Sequence, residues 1–263
     1  MNLKRTSWRC GALLGTLGAL TVAAQAQSKP PTLPIGKTAS FTTKATKSTD
    51  YLIGFSKNSY VVIWDAQRAD GASSNIMGTL QLLKPNGVIL NNSLISLNKI
   101  GVNTRAGAML TVPKAFAGRL RVTVDQDTQS WLSVVPTKTT KLVPFGWGTP
   151  VTPARIASEN GVGGELGPNA VAFHSITLPK GKWSISLGLK LPGEDKSNLM
   201  ATMDLLDARG LPVQEKLINM NLIENQSRLE GIVPVAKPTP YILRVSNSGS
   251  GTYTYDVTIE PAS

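Results

Sequence analysis

The sequence predicts an all-β protein made of two tandem, jelly-roll-like β-sandwich domains behind an N-terminal signal peptide. Three observations predict this fold class: apolar and polar residues alternate in many short runs, turn residues separate these runs, and the pattern recurs about 120 residues further along the chain. Alternation with a period of two is typical of strands that bury one face. Many such strands with turns between them favour sandwiches.

The first 26 residues have the composition of a secretory signal. Three basic residues precede an apolar stretch over residues 10–24, and alanines at positions 24 and 26 form a small-residue cleavage site. A retained membrane anchor is the alternative, although the stretch is short for a span of about 20 residues. With cleavage, the mature chain begins at Gln27, does not span a membrane, and is exported to the periplasm, the cell envelope or the extracellular space.

Cysteine and histidine usage excludes several classes of site. The single cysteine, Cys10, lies in the signal segment, so the mature chain has no thiol nucleophile and no thiolate metal site. The single histidine, His174, excludes a multi-histidine metal site within one chain. No cofactor is therefore expected, calcium apart.

An internal repeat divides the mature chain. Residues 51–87 align with residues 174–210 without a gap at an offset of 123, and 9 of the 37 positions are identical. A period of this length indicates duplicated domains, since solenoid repeats run at roughly 20 to 50 residues. The predicted organisation is a basic domain with a short Pro-rich leader over 27–140, a Pro/Gly linker over 141–153 and a second domain over 154–263.

Individual strands follow from the alternation. Arg119–Asp125 places Leu120, Val122 and Val124 on one face, and the same period appears in Trp183–Leu189 and Thr252–Ile259. Residues 214–228 are polar and poorly periodic, and they predict a loop or an irregular strand.

Turn residues separate these strands. Lys84–Gly87 and Asp207–Gly210 occupy equivalent positions, and each supplies a glycine where a positive φ is expected. The glycine-rich segment Ser246–Gly251 separates two alternating strands and predicts a hairpin connection.

The second domain resembles the bacterial pre-peptidase C-terminal (PPC) domain. The resemblance rests on residues 204–210, an acidic strand ending in a glycine turn, and on residues 241–255, a Tyr-Ile-Leu-Arg-Val strand followed by a glycine-rich connection and a Tyr-containing strand. It covers roughly residues 170–260, and the first copy departs from it, with Gln81 and Lys84 in place of Asp204 and Asp207. The resemblance implies a small jelly-roll-like sandwich, secretion and a non-catalytic role.

Charge differs sharply between the two copies. Residues 27–140 hold 13 Lys and Arg against 5 Asp, a net charge of +8, while residues 141–263 hold 11 against 11. A basic domain beside a neutral one suggests an anionic partner, either an envelope protein or an anionic polysaccharide or lipid surface. The alternative is that the positive charge only keeps the protein soluble.

Arg119 and Arg121 are the candidate ligand-binding cations, because both face outward from one strand. Nucleic acid is not an expected partner, since the basic residues are dispersed and no aromatic motif lies among them.

Three further positions have competing interpretations. His174 shares a strand face with apolar residues, which favours a structural role over a general base. Trp147 lies in the linker and either seals the groove between the domains or meets a ligand there. Asp195 and Asp204, in an acidic group with Glu194 and Asp207, are weak calcium candidates.

The sequence thus predicts a non-enzymatic, secreted or envelope-associated binding and scaffold protein. In this hypothesis the basic domain contacts an anionic envelope polymer or protein, and the second domain mediates assembly. The alternative is a carbohydrate-binding accessory module of an extracellular enzyme system, which requires an exposed aromatic ring. A hydrolase that uses His174 is a third hypothesis, although no serine lies in a Gly-x-Ser-x-Gly elbow.

Overall fold

Strands form the regular secondary structure of this computed structural model, which describes residues 29–71, 74–101, 103–148, 154–156, 161–193 and 197–262. The predicted signal peptide, residues 1–26, lies outside the described residues. Within the described ranges, no helix is long and apolar enough to cross a membrane.

The first module consists of two four-stranded antiparallel sheets, with strand orders β1-β8-β3-β6 and β2-β7-β4-β5. Its strands are β1 (Thr38–Thr43), β2 (Ser48–Phe55), β3 (Asn58–Arg68), β4 (Ser74–Leu83), β5 (Ile89–Gly101), β6 (Asn103–Val112), β7 (Phe116–Val124) and β8 (Thr128–Pro136). Only β4 and β5 are neighbours both along the chain and within a sheet, so each of the remaining connections runs from one sheet to the other. Eight strands arranged in this way form a jelly roll.

The second module repeats this topology, with orders β10-β17-β12-β15 and β14-β13-β16-β11-β9. Its strands are β9 (Ala154–Arg155), β10 (Val162–Leu166), β11 (Val171–Leu178), β12 (Gly181–Lys190), β13 (Ser197–Asp207), β14 (Pro212–Glu224), β15 (Gln226–Val235), β16 (Thr239–Asn247) and β17 (Tyr253–Pro261). The two tandem β-sandwiches that the sequence predicts are therefore confirmed.

Details of the pairing recur at the offset of 123. A register irregularity between Leu80 and Leu83 in the β4–β5 ladder reappears between Met203 and Leu206 in the β13–β14 ladder. The parallel bridge from Thr32 to Leu52 corresponds to the short β9, which lies parallel to β11. The leader is thus an integral part of the first jelly roll.

Each module has its core between its two sheets. Leu120, Val122 and Val124 of β7 are fully buried in the first core beside Trp64, as the alternation predicts. Leu187, Tyr253 and other inward residues of β12 and β17 form the second core. Gly87 and Gly210 have φ values of 89° and 85°, which confirms the two predicted glycine turns.

The connection through Ser246–Gly251 is not a hairpin, contrary to the sequence prediction. Strands β16 and β17 belong to opposite sheets, so this segment crosses the edge of the sandwich. The Asn247 side chain holds it, since its Nδ2 donates to the carbonyls of Leu166, Gly167 and Gly251. A glycine-rich segment between two alternating strands has the same local pattern in a hairpin and in an arch, and the core decides between them.

The poorly periodic segment 214–228 lies mostly in strands. Strand β14 extends to Glu224 and β15 begins at Gln226, while the β13–β14 ladder contains the register irregularity described above. Much of β14 is exposed on its outer side, which explains why its sequence lacks a clear apolar period.

The described part of the linker, residues 141–148, packs between the modules. The buried Arg105 guanidinium forms a two-point ion pair with Asp65, at 2.6 and 2.7 Å, and also donates to the carbonyls of Val143 and Pro144. Asp65 in turn accepts a hydrogen bond from the Gly146 amide at 3.0 Å. We call this group the linker clamp, and it fixes the path of the linker across the first module.

Candidate functional site

A cleft opens on the outer face of the β2-β7-β4-β5 sheet in the first module. It encloses about 530 Å³ and is lined by the leader and by side chains of β2 and β7, namely Pro30, Pro31, Ser48, Thr49, Asp50, Arg119 and Arg121. We call it the arginine cleft. Both arginines that the sequence indicates as candidate ligand residues therefore lie in one site.

The two arginines converge on a single carboxylate. Arg121 donates from Nε and Nη2 to Asp50 at 2.8 and 2.9 Å, and Arg119 donates from Nη1 to the same side chain at 3.2 Å. Two guanidinium groups against one carboxylate leave one net positive charge in the cleft. The hydrogen bonds with Asp50 raise the pKa of Arg121 above its ordinary value, so this side chain stays charged.

Part of the donor capacity of the arginines remains unused within the described residues. Arg119 directs Nη2 to the Pro85 carbonyl at 2.7 Å, but its buried Nε has no hydrogen-bond acceptor. Arg121 is bonded through Nε and Nη2, which leaves Nη1 available, and about a third of its side chain is exposed. A carboxylate, sulfate or phosphate is the natural ligand for such a group.

The same face of the second module is closed. Phe173 and Ile242 stand there at the positions of Asp50 and Arg119, and they pack with Leu206 against Phe145 of the linker. The Phe145 and Phe173 rings stack with their centroids 4.9 Å apart. Arg244, at the position of Arg121, pairs with Asp204 instead. Because apolar residues replace Asp50 and Arg119, the second copy buries this face inside the protein while the first copy leaves it open.

Trp147 lies away from the arginine cleft, beside the apolar contact between linker and second module. Its ring is 5.1 Å from that of Phe145, and its buried Nε1 has no hydrogen-bond partner among the described residues. The structure brings Arg119 and Arg121 together but does not bring Trp147 to them.

His174 is buried in the second core. Its Nε2 lies 3.0 Å from the Tyr255 hydroxyl, and burial lowers the pKa of His174 below its ordinary value. Burial also raises the pKa of Tyr255. The imidazole is thus a neutral interior group with an aromatic partner, and it does not face the arginine cleft.

Of the two calcium candidates, Asp204 lies among the described residues and Asp195 does not. Asp204 is buried, and its oxygens accept hydrogen bonds from the Lys216 amide and from Nε and Nη2 of Arg244. Asp195 and Glu194 lie outside the described residues. Among the residues that are described, no group of three or more acidic, histidine or cysteine side chains is placed to hold a metal ion.

Aromatic side chains are all at least partly buried in the described ranges. Trp183 packs at the edge of the second core, and its Nε1 donates to the Pro179 carbonyl at 2.9 Å. A sugar-stacking platform needs an open ring face, and every described aromatic residue has most of its surface covered.

Sequence reasoning missed the acidic partners of the arginines. Arg105 belongs to the dispersed basic residues of the first module, but Asp65, its partner, is 40 residues away in the chain. Asp50 is 71 residues from Arg121. Only the antiparallel pairing of β2 with β7 and of β3 with β6 places these acids beside the arginines.

No protein-family model matches the chain, and no curated protein matches it significantly. Solved structures with related arrangements include the CBM22-1-CBM22-2 tandem domain of Xyn10C from Paenibacillus barcinonensis, 8% identical, covering 86% of this chain and 92% of that chain with a TM-score of 0.29. The PBSX exported protein XepA is 13% identical over 86% of this chain and 87% of that chain, with a TM-score of 0.27. The ANX1 ectodomain from Arabidopsis thaliana is 8% identical over 85% and 83%, with a TM-score of 0.26. Similarity at this level carries no inference about ligand or activity.

Proposed function

We propose that this chain is a non-enzymatic, exported binding and scaffold protein of the cell envelope or extracellular space. Its basic first module contacts an anionic envelope polymer or protein, and its second module mediates assembly. The observation that supports this most directly is the open arginine cleft on the module with a net charge of +8. The resemblance of the second module to PPC domains remains a prediction that accords with a non-catalytic role.

The cleft is suited to a repeated or extended anion. Its single uncompensated charge gives a modest local attraction, and the available Nη1 of Arg121 can donate a charge-assisted hydrogen bond to a carboxylate or sulfate group. The remaining positive charge of the module raises the concentration of a polyanion near the cleft and accelerates association. This combination favours an anionic polymer over a single small anion.

The second module offers different surfaces. It has no net charge from residue 141 onward, and Ile223 and Ile232 are exposed on its strands at 74% and 50%. A surface without net charge fits protein assembly better than binding to a polyanion. The burial of His174 supports a binding role over hydrolysis.

Replacing Arg121 tests the cleft. With heparin and alginate as polyanion probes, we expect Arg121→Gln to weaken binding about 10-fold, since a charge-assisted hydrogen bond contributes about 1.5 to 3 kcal/mol. Titration calorimetry measures the affinity, and thermal unfolding checks that the variant is folded. Binding by the unchanged protein should weaken steeply between low and physiological salt, because mobile ions screen the attraction.

Lys47→Gln is the matched control, because it removes one exposed positive charge of the same module outside the cleft. It should weaken binding far less than Arg121→Gln. Equal losses in the two variants would show that net charge acts without the cleft, and binding that ignores salt would contradict the electrostatic proposal.

A further inference from the structure

Three consecutive aliphatic residues are exposed where the β4–β5 hairpin turns. Val88, Ile89 and Leu90 have 51%, 52% and 47% of their surfaces exposed. We call them the hairpin tip. Isolated exposed aliphatic residues are common on protein surfaces, but a continuous exposed run usually marks a contact surface.

The internal repeat provides a comparison for this tip. Leu211, at the position of Val88, packs against Val61, Ile63 and Val143 at the junction of the modules. The hairpin of the second copy thus has its first apolar residue partly covered by protein, while Val213, at the position of Leu90, stays exposed. The equivalent turn of the first copy has no such cover among the described residues.

Exposed lysines lie at the same end of the first jelly roll as the hairpin tip. The turns β2–β3, β4–β5 and β6–β7 lie at one end of the first jelly roll, and they hold Lys57, Lys84 and Lys114, respectively. All three are exposed, and none forms a salt bridge with a described residue. Positive charge and apolar side chains therefore share one end of the module.

The acidic residues of the loops lie at the opposite end. Asp70 follows β3, and Asp125 and Asp127 lie between β7 and β8, where Lys44 bonds Asp127. The remaining two acids of the module, Asp50 and Asp65, are paired with arginines. The first module is consequently polarised along its strands, with a cationic apolar end and an end that contains its loop acids.

We propose that the hairpin tip docks on an anionic lipid bilayer. This contact is additional to the proposed binding of a polyanion in the arginine cleft, and it uses a different part of the same basic module. The aliphatic side chains enter the interfacial region while the three lysines contact lipid phosphates, the combination that supports peripheral binding to membranes. A soluble polyanion would use the lysines but leave the aliphatic residues in water.

Vesicle sedimentation tests the proposal with residues 27–263, which contain both complete jelly rolls and omit the apolar N-terminal stretch. We expect binding to phosphatidylglycerol/phosphatidylcholine vesicles and little binding to phosphatidylcholine alone. Leu90→Ser should weaken binding about 10-fold, because one largely buried aliphatic side chain contributes about 1.5 kcal/mol. Val213→Ser is the matched control, since Val213 is the repeat equivalent of Leu90 and is 55% exposed.

A probe of depth separates insertion from simple charge attraction. The only natural cysteine is Cys10, so Leu90→Cys and Val213→Cys each give residues 27–263 a single labelling site. An environment-sensitive fluorophore should shift to shorter wavelength at position 90 when anionic vesicles are added and should not shift at position 213.

Several results would overturn the proposal. These are no binding to the anionic vesicles, equal binding of Leu90→Ser and the unchanged protein, or self-association in ultracentrifugation that Leu90→Ser abolishes without any vesicle binding. If the unchanged protein does not bind the anionic vesicles while its heparin binding still depends on Arg121, the lipid inference fails and the polyanion site stands. If the unchanged protein binds neither the anionic vesicles nor heparin, both proposals are contradicted.

Discussion

His174 shows how burial determines the chemistry of one side chain. Its imidazole is 4% exposed and contacts the Tyr255 hydroxyl, and burial lowers its pKa. A histidine that is neutral inside a core binds a proton more readily in the unfolded chain. The folded state is then penalised as the solution becomes more acidic.

We expect the free energy of unfolding to fall as pH decreases below the ordinary histidine pKa of about 6.5. The unfolded state binds more protons than the folded state in this range, so the loss is limited to about 1.4 kcal/mol per pH unit for one group. Urea unfolding between pH 8 and pH 5.5 measures it, above the range where most carboxylates titrate.

His174→Gln removes the titrating group and provides the control. Its unfolding free energy should vary less with pH over the same range, whatever its absolute value. An unchanged pH dependence would assign the effect to other groups.

At the scale of one element, the two glycine turns have the same backbone and different surroundings. A Cβ on Gly87 would have no atom within 4 Å, whereas a Cβ on Gly210 would lie 2.8 Å from both Arg105 Nη1 and Leu142 Cδ1. Both residues have a positive φ that disfavours other residues.

Gly87→Ala should therefore destabilise the protein by about 1 kcal/mol, the cost of the left-handed backbone conformation. Gly210→Ala should cost about 1 to 3 kcal/mol more, because the methyl group displaces parts of the linker clamp and linker. Urea unfolding of the two variants side by side measures the difference. Equal destabilisation would mean that the contact between the turn and the linker adjusts without cost.

At the scale of the whole molecule, the linker clamp joins the two modules. Arg105 has a side chain only 1% exposed, lies 3.7 Å over the Phe145 ring and also donates to the Arg209 carbonyl of the second module. Arg228 occupies the equivalent position in the second copy, where it pairs with Asp256 on an exposed face.

Arg105→Met should cost about 3 to 5 kcal/mol, because it leaves Asp65 buried without its ion partner. Proteolysis within residues 141–153 should accelerate, since the linker loses the hydrogen bonds to its carbonyls. Arg228→Met is the control and should cost at most about 1 kcal/mol, as expected for an exposed pair. Similar stability and similar cleavage of the two variants would contradict the clamp.

Strand positions and faces followed from the sequence because alternation is a local property. Leu120, Val122 and Val124 had to share a face on any sheet, and Arg119 and Arg121 had to share the other. The repeat at an offset of 123 indicated that the fold occurs twice, since two segments with the same alternation of apolar and polar residues form the same kind of buried core.

Only the tertiary structure decided which strands pair and what covers their outer faces. It placed Asp50 against Arg119 and Arg121, separated β16 from β17 into opposite sheets, and packed Leu211 against the first module while leaving Val88 exposed. The pleat of a strand is set by neighbouring residues in the chain, whereas these contacts join residues tens of positions apart and depend on how two complete sandwiches pack.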